Sequence, residues 1–174
     1  MSEDTALPER AARPFERHDA FERNGEWFEV TTTRFDGRAS AEPAAGRAIA
    51  YTVEVRAPML SAAVEGSVGP AVEDGWFETY ERRLEDAPMA VRGELSLSEQ
   101  RVVEETGDAV AVFGFELENA DRAPDVIKAI AEYVEGTYVE GVVPGYDYVP
   151  PVSSLLSRAM RTGGGGRDER DTSP

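Results

Sequence analysis

The chain has 174 residues, no cysteine, and 34 acidic against 18 basic side chains, for a net charge of −16. Its length suits one domain with a core that needs no disulfide or metal staple, and the missing thiol excludes disulfide frameworks, thiolate metal sites and cysteine nucleophiles. No apolar run approaches the roughly 18–20 residues that span a bilayer, and the start MSEDTALPERAARPFERHD lacks the apolar stretch of a secretory leader, so a cytoplasmic location with no membrane partner is expected.

Residues 1–10 are polar and read as a flexible start. A short helix is predicted over Ala11–Arg23, with Phe15 and Phe21 apolar and Asn24-Gly25 as its stop. Glu26–Phe35 reads as a strand, because Phe28, Val30 and Thr32 alternate with Glu29, Thr31 and Thr33. Asp36-Gly37 is expected to break it, with Ser40–Gly46 continuing as loop. Next comes the cleanest alternation in the chain: Ile49, Tyr51, Val53 and Val55 face one way, and Ala50, Thr52, Glu54 and Arg56 the other, as in a half-buried antiparallel strand. Met59–Val68 is a short strand or a loop. Pro70–Glu85 is a helix carrying Val72, Trp76, Tyr80 and Leu84 at helical spacing, with Pro70 suited to its first turn.

Further on, Val91–Leu97 and Arg101–Glu105 read as two strands. Thr106-Gly107-Asp108 turns into a third, Ala109–Leu117, which is apolar on both sides and so belongs inside the sheet. A helix follows Asp121, with Val126, Ile127, Ile130 and Val134 as its stripe and its end at Glu135-Gly136 or Tyr138. Pro144-Gly145 is a type II turn signal, and Val152–Arg161 a short amphipathic helix. Residues 163–174 are glycine, charge and serine, expected to be a disordered tail. The result is a single domain over 11–162 in the order α-β-β-α-β-β(-β)-α-α. Its fold class is α+β: an antiparallel sheet of about four to six strands with helices on one face.

Four of the six tyrosines, Tyr133, Tyr138, Tyr146 and Tyr148, lie in YVEGTYVEGVVPGYDYVPP, where Tyr-Val-Glu-Gly occurs twice. Tyr138, Tyr146, Asp147 and Tyr148 form the candidate binding surface, because they concentrate aromatic and acidic groups beside a predicted loop. The competing reading is that these tyrosines simply pack over the sheet. The stretch YVEGTYVEGVVPGYDY and the distributed acid resemble a family of small acidic haloarchaeal proteins of unknown function, which implies no catalytic residues. The element order is similar to that of the type III secretion chaperones, a likeness of topology alone.

The carboxylates recur in nearly every ten-residue window, and Lys128 is the one lysine. An acidic face attracting a basic partner is one explanation. Adaptation to concentrated salt is the other, and the even spread favours it: at molar ionic strength screening lengths shrink to about 3 Å and self-repulsion costs little. His18, the one histidine, reads as an exposed helix residue, and Lys128 as a solvated side chain at the edge of its helix stripe. No phosphate-binding glycine loop, nucleophile elbow or metal-ligand motif is present, so no catalytic residue, cofactor or metal site is assigned. Without a basic stripe, nucleic-acid binding is disfavoured. The reading is a non-enzymatic binding or adaptor protein whose partner is another protein or a second copy of itself, a homodimer. The alternative is a hydrolase or other enzyme using carboxylates and a divalent metal.

Overall fold

The computed structural model describes residues 8–171, with side chains described through Arg161. Helix α1 is Glu9–Glu16, followed by strands β1 Phe21–Asn24, β2 Trp27–Val30, β3 Asp36–Pro43 and β4 Ile49–Pro58. A single-turn helix α2 Leu60–Ala63 leads into α3 Pro70–Leu84. Strands β5 Leu97–Glu105 and β6 Asp108–Leu117 come next, then α4 Ala123–Glu140 and α5 Val152–Asp171. The six strands form one sheet in the order β1-β2-β3-β4-β6-β5, antiparallel throughout. The expected α+β architecture therefore holds, with up-and-down hairpins on one side of the sheet and β5–β6 inserted on the other. The expected tail over 163–174 lies outside the described side chains, and residues 1–7 lie outside the described chain.

The strongest alternation gives the best-placed strand. β4 buries Ile49, Tyr51, Val53, Val55 and Ala57 and leaves the residues between them half-exposed. Across from Val53 and Tyr51, β6 sets Phe113 and Phe115, both buried. Helix α4 lies against this inner face through Val126, Ile127, Ile130, Ala131 and Val134. At the β1–β2 end, Phe15 of α1 stacks on Phe28, with ring centroids 4.6 Å apart, and meets Phe21 edge-on at 4.9 Å.

The observed elements depart from the pattern reading in several places; Met59–Val68, expected as a short strand or a loop, holds the single-turn helix α2. The first helix stops at Glu16, and Phe21–Asn24 is strand β1, turned back onto β2 through Gly25-Glu26. Tertiary packing wins here: Phe21 pairs with Val30 and fills the space beside Phe15. The stretch read as loop over Asp36–Gly46 contains β3, fully paired with β4 from Asp36–Arg56 to Pro43–Ile49. Its inner side carries Gly37 and Ala39 because α4 crosses close by. A methyl group on Gly37 would sit 3.4 Å from Val30 and 3.8 Å from Ala131. Small residues chosen for helix approach look like turn residues in sequence. The two segments read over 91–105 are one strand, β5, which starts at Leu97 and carries a bulge between Leu97 and Glu99. Finally, α4 runs through both copies of Tyr-Val-Glu-Gly and ends at Glu140.

Candidate functional site

Because α4 is continuous, the repeated tyrosines leave it about 140° apart around the helix and do different work. Tyr133 donates its hydroxyl to the Arg83 carbonyl at 2.9 Å, fastening α4 to the end of α3. Tyr138 is fully buried and donates to the Pro58 carbonyl at the end of β4, at 2.8 Å. Around it stand Phe35, Trp76 and Tyr80, edge-on at 4.9, 5.4 and 5.7 Å between centroids. Burial pushes the Tyr138 hydroxyl far above its ordinary range, helped by the neighbouring Tyr80, Tyr148 and Glu73. This aromatic group is core. Gly136, inside the repeat, sits mid-helix with nothing within 4 Å of where a methyl group would be. Gly136→Ala is expected to raise stability by about 0.5–1 kcal/mol, read from urea unfolding, since it removes backbone freedom from the unfolded chain at no steric cost.

The segment after α4 is tied down by its backbone. Tyr148 bridges to Val64, Glu65 N–H donates to the Asp147 carbonyl at 2.9 Å, and Val149 N–H donates to the Ala63 carbonyl at 2.8 Å. The Tyr148 hydroxyl closes the loop on itself, donating to the Val143 carbonyl at 2.6 Å and accepting from the Val143 N–H at 2.9 Å. Of the four candidate residues, then, Tyr138 is core and Tyr148 a half-buried fastener. Tyr146 is half-buried and the Asp147 side chain exposed. The loop brings Tyr146, Asp147 and Tyr148 together, while the Tyr138 ring is buried in the aromatic group, with Tyr148 alone of the three as its electrostatic neighbour. Gly145 holds φ +95°, as the third residue of a type II turn requires. Gly145→Val is expected to cost about 1–3 kcal/mol through backbone strain. Asp147→Ala should stay within about 0.5 kcal/mol by the same urea measurement.

His18 lies beyond the end of α1 and is half-buried. Its Nδ1 accepts from the Ala20 N–H at 3.1 Å, so the neutral ring carries its proton on Nε2 and donates it to Asp125 at 2.8 Å. The ring thereby ties the α1–β1 connection to the first turn of α4, a structural task. Lys128 pairs with Glu132 one turn along α4, at 3.0 Å. Among the described residues no three His, Cys, Asp or Glu side chains gather in a way that could hold a metal ion.

The more distinctive surface is the outer face of the sheet. The helices pack on the inner face, so the alternate residues of all six strands look outward. Reading the register across, these include Glu22, Glu29, Asp36, Glu42, Glu54, Glu99, Glu105, Asp108 and Glu116 against only Arg38, Arg56 and Arg101. Each of the three arginines is held by acid: Arg38 by Glu54 at 3.1 Å, Arg56 by Glu105 and by Asp108 at 3.3 Å, and Arg101 by Glu99 at 2.7 Å. Val110 and Val112 also point outward, yet are buried, flanked across the strands by Arg56 and Val103 and by Glu54 and Arg101. Long polar side chains lie over small apolar ones here, as amphipathic stems do. Toward β2 the Arg38 guanidinium sits 3.8 Å above the Trp27 ring. Beside it, Glu29, Asp36, Arg38, Glu54 and Arg56 line an open depression of about 510 Å³.

The sequence profile of a family of unknown function, DUF5813, matches residues 16–158. The chain belongs to that family. No curated protein and no solved structure matches it. The DUF5813 match runs from the last residue of α1 into α5, so it takes in the whole sheet, α4 and the loop to Pro151. The outer-face residues of this DUF5813 protein escaped the sequence reading for one reason. Two of the strands that present them, β1 and β3, were not visible, so Arg38 and Asp36 read as loop residues and Trp27 had no neighbour across the sheet. The alternation of β4 did expose half of the constellation, since Glu54 and Arg56 fall on its outer side.

Proposed function

We propose that this protein is a non-enzymatic adaptor, working in a high-salt cytoplasm, that binds another protein through the open face of its sheet. The observation that carries the proposal is that, among the described residues, no helix packs over this six-stranded face, which offers an aromatic-cation pair, Trp27 and Arg38, beside a depression. Aromatic and arginine side chains are the usual anchors of protein interfaces. The surplus of acid outward, nine carboxylates against three guanidinium groups, selects the occupant. A second copy would meet its own charge, whereas a different protein presenting basic side chains would pair with Glu22, Glu29, Asp36 and Glu42, none of which has an ion-pair partner among the described residues. Contact pairs of this kind act within the short screening length of concentrated salt. The proposal does not rest on the likeness to secretion chaperones, because four strands precede the first long helix here.

Salt adaptation supports the setting and has its own test. With 34 acidic side chains and a net charge of −16, thermal unfolding should shift upward as KCl rises to molar concentration. A gain of about 2 kcal/mol would lift the midpoint by about 4–8 °C for a domain of this size. A midpoint indifferent to salt would remove the halophilic part of the proposal.

For the binding face, wild-type protein and a Trp27→Ala/Arg38→Glu double variant serve as baits in native high-salt extract. A protein of basic surface retained by the wild type and lost from the variant supports the proposal. Equal retention by both overturns the assignment of the face. A tightly held divalent ion with hydrolytic turnover in the purified protein would instead establish the carboxylate-metal enzyme.

A further inference from the structure

The open sheet ends on two unequal edges. Strand β1 is four residues long, whereas β5 runs for nine, and among the described residues only β6 reaches the β5 backbone with hydrogen bonds. Alternate N–H and C=O groups of β5 therefore face outward along the edge, where another strand can pair with them. We propose that two copies of this chain pair through β5, antiparallel and centred on Val103, and so join their sheets into one. This edge contact stands whether or not the outer face binds a protein, so it does not rest on the adaptor reading.

The half of β5 that the pairing uses is open. The bulge is confined to Leu97–Glu99, and residues 101–105 contain no proline or lysine to blunt the edge. Val103 is 36 % exposed on the outward side, opposite the buried Val110 of β6. Set against its own copy, it completes a row of valines across the two chains, Val110 and Val103 from each, and leaves water. Glu104, on the inner side, then stands opposite Val102 of the other copy and directly faces no like charge.

Charge selects both the partner and the register. In a symmetric antiparallel pair one residue faces its own copy, and every other pairing follows from it. Centring on Val103 sets Arg101 of each chain opposite Glu105 of the other, on the same outward side. Centring on Arg101 or Glu104 would set like charges face to face, and centring on Val102 would oppose Glu99 to Glu105. Centring on Gln100 would carry the ladder across the bulge. Both ionic groups have capacity to spare: Glu99 takes only the Nε of Arg101, and Arg56 only one oxygen of Glu105. The outer face would oppose acid to acid in a second copy, but this edge complements itself. The net charge of −16 on each copy opposes association at a distance, and molar salt screens that repulsion within about 3 Å while leaving the backbone pairing in place.

The chain has no cysteine, so one introduced thiol reports the pairing. Opposed residues of an antiparallel pair lie about 4.5–5.5 Å apart between Cα atoms, within the span of a disulfide. Val103→Cys is therefore expected to cross-link to its copy under mild oxidation in molar KCl. Glu99→Cys, on the same strand and side, is expected to stay uncross-linked, because this register puts it about 27 Å from its copy at about 3.4 Å per residue. Sedimentation equilibrium in molar KCl then follows wild type, Arg101→Glu and Glu105→Arg. Both substituted side chains are exposed, and dichroism matching the wild type verifies each fold. The wild type is expected to dimerise, and each reversal to raise the Kd by about ten-fold, as like charges placed opposite one another predict. An equimolar mixture of the two variants should form a heterodimer, since each reversed charge then meets its opposite. A wild type still monomeric at about 1 mM, cross-linking of Val103→Cys no faster than that of Glu99→Cys, or a mixture that stays apart overturns the proposal. A monomer that takes up a strand of another protein along β5 assigns the edge to that protein and overturns it as well.

Discussion

Tyr138→Ala is expected to destabilise the domain by about 3–5 kcal/mol, the cost of deleting a large buried ring, and the Pro58 carbonyl it leaves without its partner adds to that. The ring is fully buried and edges against three aromatic neighbours, Phe35, Trp76 and Tyr80, so the space it vacates is walled by rigid groups that collapse poorly. Tyr138→Phe keeps the packing and loses only the hydrogen bond, so it should cost about 1–3 kcal/mol. Tyr146→Ala, made at a half-buried position in the loop of the same stretch, should cost about 1 kcal/mol or less. Urea unfolding of the three variants in concentrated KCl measures all of this. If Tyr138→Ala and Tyr146→Ala cost the same, the division of the stretch into core and surface is wrong.

That division shows what the pattern of residues could and could not carry. The five-residue step between the two copies of Tyr-Val-Glu-Gly rules out one helical face, and this was legible. It does not rule out a helix, and Gly136 read as a stop because glycine is common there. The helix persists because Val134 and Tyr138 are both buried on the core side, and packing outweighs the roughly 1 kcal/mol that a mid-helix glycine costs. Strand β4 was legible to within two residues because its alternation was complete and one face is wet. Strand β6 was legible as interior because Val110 and Val112 load its second face. Strand β3 was not, since its inner positions are Gly37 and Ala39, small to admit α4, and their smallness erases the apolar signal that marks a strand.

The candidate surfaces follow the same rule. An outward constellation such as Trp27, Arg38, Glu54 and Arg56 is assembled across three strands, so it becomes visible only once the register is known. The loop at Arg34 is held by α4, about a hundred residues later, through a Glu135 contact that no local pattern announces.

Alkaline pH should unfold the domain cooperatively, because three tyrosines are buried with their hydroxyls protonated. Burial pushes Tyr51 up to about 12, with Arg10 pulling it down and Asp121 adding to the rise. Burial likewise holds Tyr80 and Tyr138 well above the ordinary range. In the unfolded chain all three titrate near about 10. Between that value and their folded values the unfolded state binds fewer protons than the folded one, so stability falls as pH rises. Below about pH 10 these groups give no pH dependence. Above it each costs up to about 1.4 kcal/mol per pH unit, so the three together remove about 4 kcal/mol by pH 11, a large share of the 5–15 kcal/mol typical of a domain. Far-ultraviolet dichroism and tyrosinate absorbance, followed together, should show part of the phenolate signal appearing only as the helices and strands melt. Tyr80→Phe sharpens the test. The Tyr80 hydroxyl is buried with no hydrogen-bond partner among the described residues, so its removal should change stability at neutral pH by less than about 1 kcal/mol. The same change should reduce the alkaline slope by about 1.4 kcal/mol per pH unit, one tyrosine's share. Smooth ionisation of all the tyrosines with secondary structure intact at pH 11 would mean that water reaches these hydroxyls, and the aromatic group around Tyr138 would not be the sealed core described above.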